Sequence, residues 1–232
     1  AYLAENSLTC NYSNVTGPLT FEVTTTANSK SIELPYESTG TYSGTINWGD
    51  GNTSANTYAN RAHTYTEPGV YTIEVSGRSS KLAFGDLTNT IASLYTKLVQ
   101  FGDPMDFERL SFGDRLSSKH GAINMDFTTV PDVPSFAINA NIDYMLAGLS
   151  TSNFNNIGAW DVSKVNSMQG VFYSNYLFNQ NINDWDVSNV TTMYETFAIA
   201  RDFNQPLNTW DVSNVTNMGS MFKGLAAGEG SI

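Results

Sequence analysis

Apolar and polar residues alternate by twos in two early stretches, Phe21-Glu22-Val23-Thr24-Thr25 and Val70-Tyr71-Thr72-Ile73-Glu74-Val75. A period of two sends successive side chains to opposite faces, so each stretch predicts a strand with one buried face. Turn-forming clusters lie between them: Ser38-Thr39-Gly40, Gly49-Asp50-Gly51-Asn52 and Glu67-Pro68-Gly69. Strands at this spacing, without helical periodicity, predict a small antiparallel β-sandwich over residues 1–85, with an N-terminal strand extension.

Past residue 150 the pattern repeats every 25 residues. Trp160, Trp185 and Trp210 share that interval, as do Val162, Val187 and Val212, then Val165, Val190 and Val215. Met168, Met193 and Met218, Phe172, Phe197 and Phe222, and Ile157, Ile182 and Leu207 keep it too. A fixed period of this size predicts stacked units, because a short unit with one apolar face must bury it against a neighbour. Within one unit, Ile182-Asn183-Asp184-Trp185-Asp186-Val187 suits a short strand of a parallel sheet. Ser188 is placed to cap a short helix whose Val190, Met193 and Phe197 would share one face. Asn179 and Asn204, with Asn155 in the first copy, are expected to form a buried ladder serving turn backbone groups. The predicted fold is therefore mainly β, a sandwich followed by a leucine-rich-repeat-like solenoid with short helices over 86–232. Its clear repeats occupy 151–232. Degenerate capping coils are expected over 94–150, with strands at Leu98-Val99-Gln100-Phe101-Gly102-Asp103 and Ile123-Asn124-Met125-Asp126-Phe127. At Gly228-Glu229-Gly230-Ser231-Ile232 no cap is evident, and an uncapped C-terminal coil points to truncation, a partner or an oligomer.

Composition narrows the function classes. Twenty-two acidic residues against eleven basic ones give a net charge of −11. A nucleic-acid partner requires clustered Lys and Arg, so none is expected, and anionic membranes are disfavoured alike. Polarity is carried by Asn, Thr and Ser, with 25 Asn in the chain, a profile of turn-rich β structure. The single cysteine, Cys10, excludes an intrachain disulfide. No apolar run reaches the roughly 18–20 residues that span a bilayer, so no membrane insertion is expected. The start at Ala1-Tyr2-Leu3-Ala4-Glu5 carries no signal-peptide pattern, so either a signal or an initiator Met precedes it.

Two segments carry family resemblances. Ile46-Asn47-Trp48-Gly49-Asp50-Gly51, followed by His63-Thr64-Tyr65-Thr66-Glu67-Pro68-Gly69-Val70-Tyr71-Thr72-Ile73, resembles a PKD-type domain over roughly residues 20–77. That resemblance implies an immunoglobulin-like sandwich used as a spacer or adhesion module on exported proteins. Trp185-Asp186-Val187-Ser188-Asn189-Val190-Thr191-Thr192-Met193, then Phe197 and Phe203-Asn204-Gln205, resembles the bacterial surface-protein, or BspA-like, leucine-rich repeats. The pattern recurs from Trp210 and, with Lys164 and Asn166 substituted, from Trp160. The resemblance implies a right-handed, often adhesive solenoid on a cell surface.

No constellation reads as catalytic. His63 lies within the PKD-like motif, where a structural role is expected, and His120 sits in a loop without partner motifs. No nucleophile elbow, zinc-binding helix or phosphate loop is present. Neither does any carboxylate pair stand apart as a glycosidase site, and no cofactor is expected. The notable feature is a column formed by Asp161, Asp186 and Asp211, flanked by Asp184 and Thr209, on the expected exposed strip of the solenoid sheet. Stacked carboxylates repel, so solvent, backbone N–H groups of the following turn or a cation must offset them; backbone capping is the favoured expectation, and no metal is assigned. Trp160, Trp185, Trp210 and Trp48 are expected in the core rather than on a sugar-binding platform. The function expected is a non-enzymatic recognition, adhesion or structural protein outside the cell. Its partners would be a cell-surface protein or glycan. The alternatives are a virion component, such as a tail or head fibre contacting neighbouring subunits, and, less favoured, a carbohydrate-active enzyme.

Overall fold

A computed structural model describes residues 17–102, 105–113, 125–149 and 154–224. Cys10, His120, the residues 123–124 of the second expected capping strand and Asp103 lie outside these. The fold is mainly β. Strand β1 (Leu19–Thr25) is followed by β2 (Lys30–Glu33), β3 (Thr45–Asn47), β4 (Thr53–Ala55), β5 (Ala62–Tyr65), β6 (Gly69–Ser76) and β7 (Lys81–Ala83). A four-residue helix, α1 (Asn89–Ala92), precedes β8 (Tyr95–Gln100), β9 (Phe107–Ser111), β10 (Phe136–Asn141) and β11 (Val165–Ser167).

The two stretches that alternate by twos are β1 and β6. They pair antiparallel with Phe21 opposite Ile73 and Val23 opposite Tyr71, at the centre of a sheet ordered β4-β3-β6-β1-β8. Leu19, Phe21, Val23, Ile73 and Val75 are all buried on its inner face. A second antiparallel pair, β2 with β5, sets Ile32 and Tyr65 into the same core. The Gly49-Asp50-Gly51 turn joins β3 to β4 with positive φ at both glycines, and a Cβ at Gly49 would run into the Thr72 backbone. Tyr36 seals a buried polar knot nearby. Its hydroxyl donates to Asn56 Oδ1 at 2.7 Å, and Asn56 Nδ2 donates to the Ser43 and Arg78 carbonyls.

The remaining sheet is parallel, ordered β11-β10-β9-β7. Hydrogen bonding crosses residue 85 in both directions. β7 pairs with β9, while β8 pairs antiparallel with β1 and bridges Asp126 in parallel. Leu98 therefore sits in an edge strand of the first sheet, with its backbone N–H reaching Asp126 O. One continuous apolar cluster runs from Leu19 to Met221.

Successive 25-residue units lie against one another. Parallel bridges link Ser167 to Thr192 and Thr192 to Asn217. Trp160 and Trp185 stack at 6.3 Å, and the Phe172, Phe197 and Phe222 rings follow at 5.2 and 5.6 Å, nearly coplanar in orientation. Trp185 Nε1 donates to Ile157 O at 2.8 Å and Trp210 Nε1 to Ile182 O at 3.1 Å, so each indole is tied to the preceding unit. All three tryptophans are inward, as is Trp48.

Inside a unit the expected elements are replaced. Ile182–Val187 is not a strand: Trp185 N closes back on Ile182 O, and the apolar spacing of three then two follows that turn. The parallel bridges sit further on, at β11, Thr192 and Asn217. Ser188 caps no helix, for Val190, Met193 and Phe197 lie on a chain of tight turns. Thr196, Ala198 and Ala200 N–H groups bond three residues back, to Met193, Glu195 and Phe197. Glu195 and Ile199 take positive φ, which ends any right-handed helix. The alternate N–H groups go to the next unit instead. Finally, Asn179 and Asn204 form a ladder that is exposed rather than buried, with Asn204 N donating to Asn179 Oδ1 at 2.9 Å. Asn155 is half-buried and donates to Val130 O.

Candidate functional site

The five residues expected on the exposed strip are all exposed, and they occupy two equivalent positions in consecutive units. The strip runs along turns, not along a sheet, because the segment that carries it turns at Trp185 and again at Ser188. Each Asp of the column closes an Asx turn. Asp161, Asp186 and Asp211 Oδ1 accept from the backbone N–H of Ser163, Ser188 and Ser213, each at 3.0 Å. The Ser188 hydroxyl and backbone N–H hold Asp186 below the ordinary carboxylate range. They outweigh the upward push of partial burial and of Asp211. Asp211 is held low by the backbone N–H and hydroxyl of Ser213. Asp184 and Thr209 follow one another at the flanking position. The Thr209 hydroxyl donates to Asn183 O, and Thr209 N donates to Asn183 Oδ1 at 3.3 Å. One oxygen of each column carboxylate is thus committed to the fold and the other is left to solvent or a partner.

Beside this column runs another, formed by residues of the repeat signature. Asn189 Nδ2 donates to Ser163 O at 2.6 Å, and Asn214 Nδ2 to Ser188 O at 2.7 Å. Thr191 and Thr216 hydroxyls reach back to Asn166 O and Thr191 O. The 25-residue recurrence of Asn189 and Asn214 was the available signal; Lys164 occupies the position in the first copy. These side chains present a row of fixed amides and hydroxyls next to the carboxylates. Among the described residues no group of three or more His, Cys, Asp or Glu side chains could hold a metal ion.

A second polar feature lies between the β3–β4 hairpin and β5. A cleft of about 400 Å³ is lined by Trp48, Asn52, Thr53, Ser54, Asn60 and His63 among others. His63 stacks on Trp48 at 4.8 Å, and its Nε2 lies 2.7 Å from Asp50 Oδ2. Partial burial raises Asp50, but hydrogen bonds from His63 and Asn52 outweigh it and leave the carboxyl below its usual range. The pair pins the Gly49–Gly51 turn to β5, which is a positioning role. Trp48 has no free face to offer: it is buried, with Nε1 donating to Ser54 Oγ at 3.0 Å.

No helix among the described residues is long and apolar enough to cross a membrane. Residues 140–230 match a family described as Mycoplasma protein of unknown function, DUF285. No curated protein and no solved structure matches the chain.

Proposed function

We propose that this chain is a surface-displayed recognition protein whose repeat units form a leucine-rich-repeat-like solenoid carried beside a PKD-like module. The single observation that carries this reading is the repetition of the same polar groups at the same place in successive units. Asp161, Asp186 and Asp211 recur with their turn-capping serines, and Asn189 and Asn214 recur beside them. Capping locks each carboxylate before any partner arrives, so little side-chain entropy is lost on contact. Such a rigid, acidic, hydroxyl-rich strip suits an extended cell-surface partner, protein or glycan, that carries donors at matching intervals. The match to a repeat family of unknown function over the same residues is compatible with this reading.

The test is a glycan array and a cell-binding assay with the full chain beside a variant carrying Asp161→Asn, Asp186→Asn and Asp211→Asn. An asparagine keeps the oxygen that caps the turn and removes the charge, so the fold is preserved. Binding by the chain and its loss in the variant are expected. Binding that survives the three substitutions unchanged would move the recognition face elsewhere.

A further inference from the structure

The cleft beside the β3–β4 turn opens where two sheets part. β4 is the outer strand of one sheet, and β5 pairs only with β2 in another. Thr53 and Ser54 line the cleft from β4, His63 from β5, Asn60 from the single turn Tyr58–Asn60, and Trp48 and Asn52 from the hairpin turn. Its volume of about 400 Å³ falls within the roughly 300–1,000 Å³ of small-molecule sites. The polar side chains are pinned at one end and unspent at the other. Asn52 Nδ2 donates to Asp50 Oδ2 at 3.1 Å and Asn60 Nδ2 to Ala55 O at 3.3 Å, so each amide keeps its Oδ1 for a further donor. Ser54 Oγ accepts from Trp48 Nε1 and retains its own hydrogen to give. The exposed Thr53 hydroxyl is hydrogen-bonded to none of the described residues. His63 lies flat on Trp48 and edge-on to Tyr65, both at 4.8 Å. Its Nε2 gives a hydrogen to Asp50, a carboxylate that also accepts twice from Asn52, so in the neutral ring Nδ1 is a third acceptor.

We infer that this cleft binds one residue of an uncharged saccharide, whose hydroxyls donate to Asn52 Oδ1, Asn60 Oδ1 and His63 Nδ1 and accept from Thr53 and Ser54. Three acceptors beside two hydroxyls call for a ligand rich in hydrogen-bond donors. Charge is excluded by the lining. None of the described residues that line the cleft is Asp, Glu, Lys or Arg, and the neighbouring Arg61 is engaged with Glu33 at 3.5 Å and with the Tyr58 ring at 4.1 Å. A charged ligand would therefore give up its hydration without meeting a counter-charge. Ala59 and Ala62 add small apolar surface for the C–H groups of a sugar ring. Because the side chains are fixed beforehand by Asp50, Ala55 and Trp48, little entropy is lost on binding. Trp48 is buried and offers no face for stacking, so the affinity is weak, on the order of millimolar. This inference rests on the cleft alone and not on the acidic strip, so the two stand or fall separately.

The test titrates the full chain with glucose, galactose, mannose and N-acetylglucosamine and follows backbone and Asn side-chain amides by NMR. Glucuronate serves as the charged counterpart and glycerol as an open-chain polyol. At least one neutral sugar is expected to give saturable shifts at Asn52, Thr53, Ser54 and Asn60, with glucuronate and glycerol binding more weakly. Thr53→Val keeps the branched shape and breaks no hydrogen bond of the fold, so melting is unchanged while affinity falls about fivefold, one net hydrogen bond's worth. Ala62→Phe fills the cleft from an exposed position of β5 and abolishes the shifts. The variant with Asp161→Asn, Asp186→Asn and Asp211→Asn titrates like the parent, which separates this site from the acidic strip. No saturable shift with any of the four neutral sugars overturns the inference. So do shifts that survive Ala62→Phe unchanged, and so does glycerol or glucuronate binding as tightly as the best neutral sugar.

Discussion

Replacing the same residue at the same position of two successive units isolates what the next unit contributes. Met193 is fully buried between its neighbours, whereas Met218 is 40% exposed. Met193→Ala deletes buried atoms and leaves a void in the apolar cluster, so a cost of about 3 kcal/mol is expected, within the usual range for Met to Ala in a core. Met218→Ala loses only the covered part of the side chain and leaves no sealed cavity. Burying a whole Met is worth roughly 1.5–3 kcal/mol, so its removal here costs about 1 kcal/mol. The gap of about 2 kcal/mol corresponds to a difference of about 1 M between the two urea midpoints for an m value near 2 kcal/mol/M. Equilibrium urea denaturation followed by tryptophan fluorescence reads both, because Trp185 and Trp210 report on the stack. Equal midpoints for the two variants, at unchanged m, would refute the argument that burial at this position is conferred by the following unit.

Three further outcomes follow from the same geometry. Asp211→Asn removes the carboxylate that pushes Asp186 upward, so an NMR titration should find the Asp186 pKa lower in the variant than in the parent; an unchanged value would refute any repulsion between the two carboxylates. Asp50→Ala should lower stability at neutral pH by about 1.5–3 kcal/mol through loss of hydrogen bonds to a charged group. Because the folded-state pKa of Asp50 is depressed, its contribution is present above the unfolded value of about 3.9 and fades as pH falls through the folded value. The gap between parent and variant must therefore close in acid, and a gap constant with pH would exclude the carboxylate as its source. Ile199→Gly should stabilise the chain by about 0.5–1 kcal/mol. A branched residue at positive φ costs about 1–2 kcal/mol, of which glycine's own entropy returns part; a fall in melting temperature would refute the strain.

The parts of this fold that could be read from residues alone were those with a local or strictly periodic signature. Phe21, Val23, Ile73 and Val75 declare their strands because alternation is a consequence of the extended backbone itself. The 25-residue recurrence of Trp160, Trp185 and Trp210 announces stacking before any coordinate is known. Inside a unit the structure departs from what the apolar spacing predicts, and for a physical reason. Val190, Met193 and Phe197 have helical spacing, yet two tight turns of four residues place side chains on one face just as well. The deciding signal is left-handed backbone at Glu195 and Ile199, residue types that do not advertise it, although Gly148, Gly170 and Gly224 stand in the same columns. Pairing of β1 with β8 and β7 with β9 joins segments far apart in sequence, and no short motif encodes such a meeting. At the candidate site the acidic column was visible as a recurrence, and its capping of Ser163, Ser188 and Ser213 follows from the habit of Asp to bond two residues on. The Asn189 and Asn214 column was visible too, but its role depends on which carbonyl the neighbouring unit brings within reach.

The exchange of strands across residue 85 has a mechanical consequence. A protease cut in the segment 86–88 would not release two pieces, because β7 would remain clasped by β9 and β1 by β8. Pulling the first sheet away from β9 would therefore load two ladders at once, β7 on β9 and β8 on β1, with the bonds of each strained together.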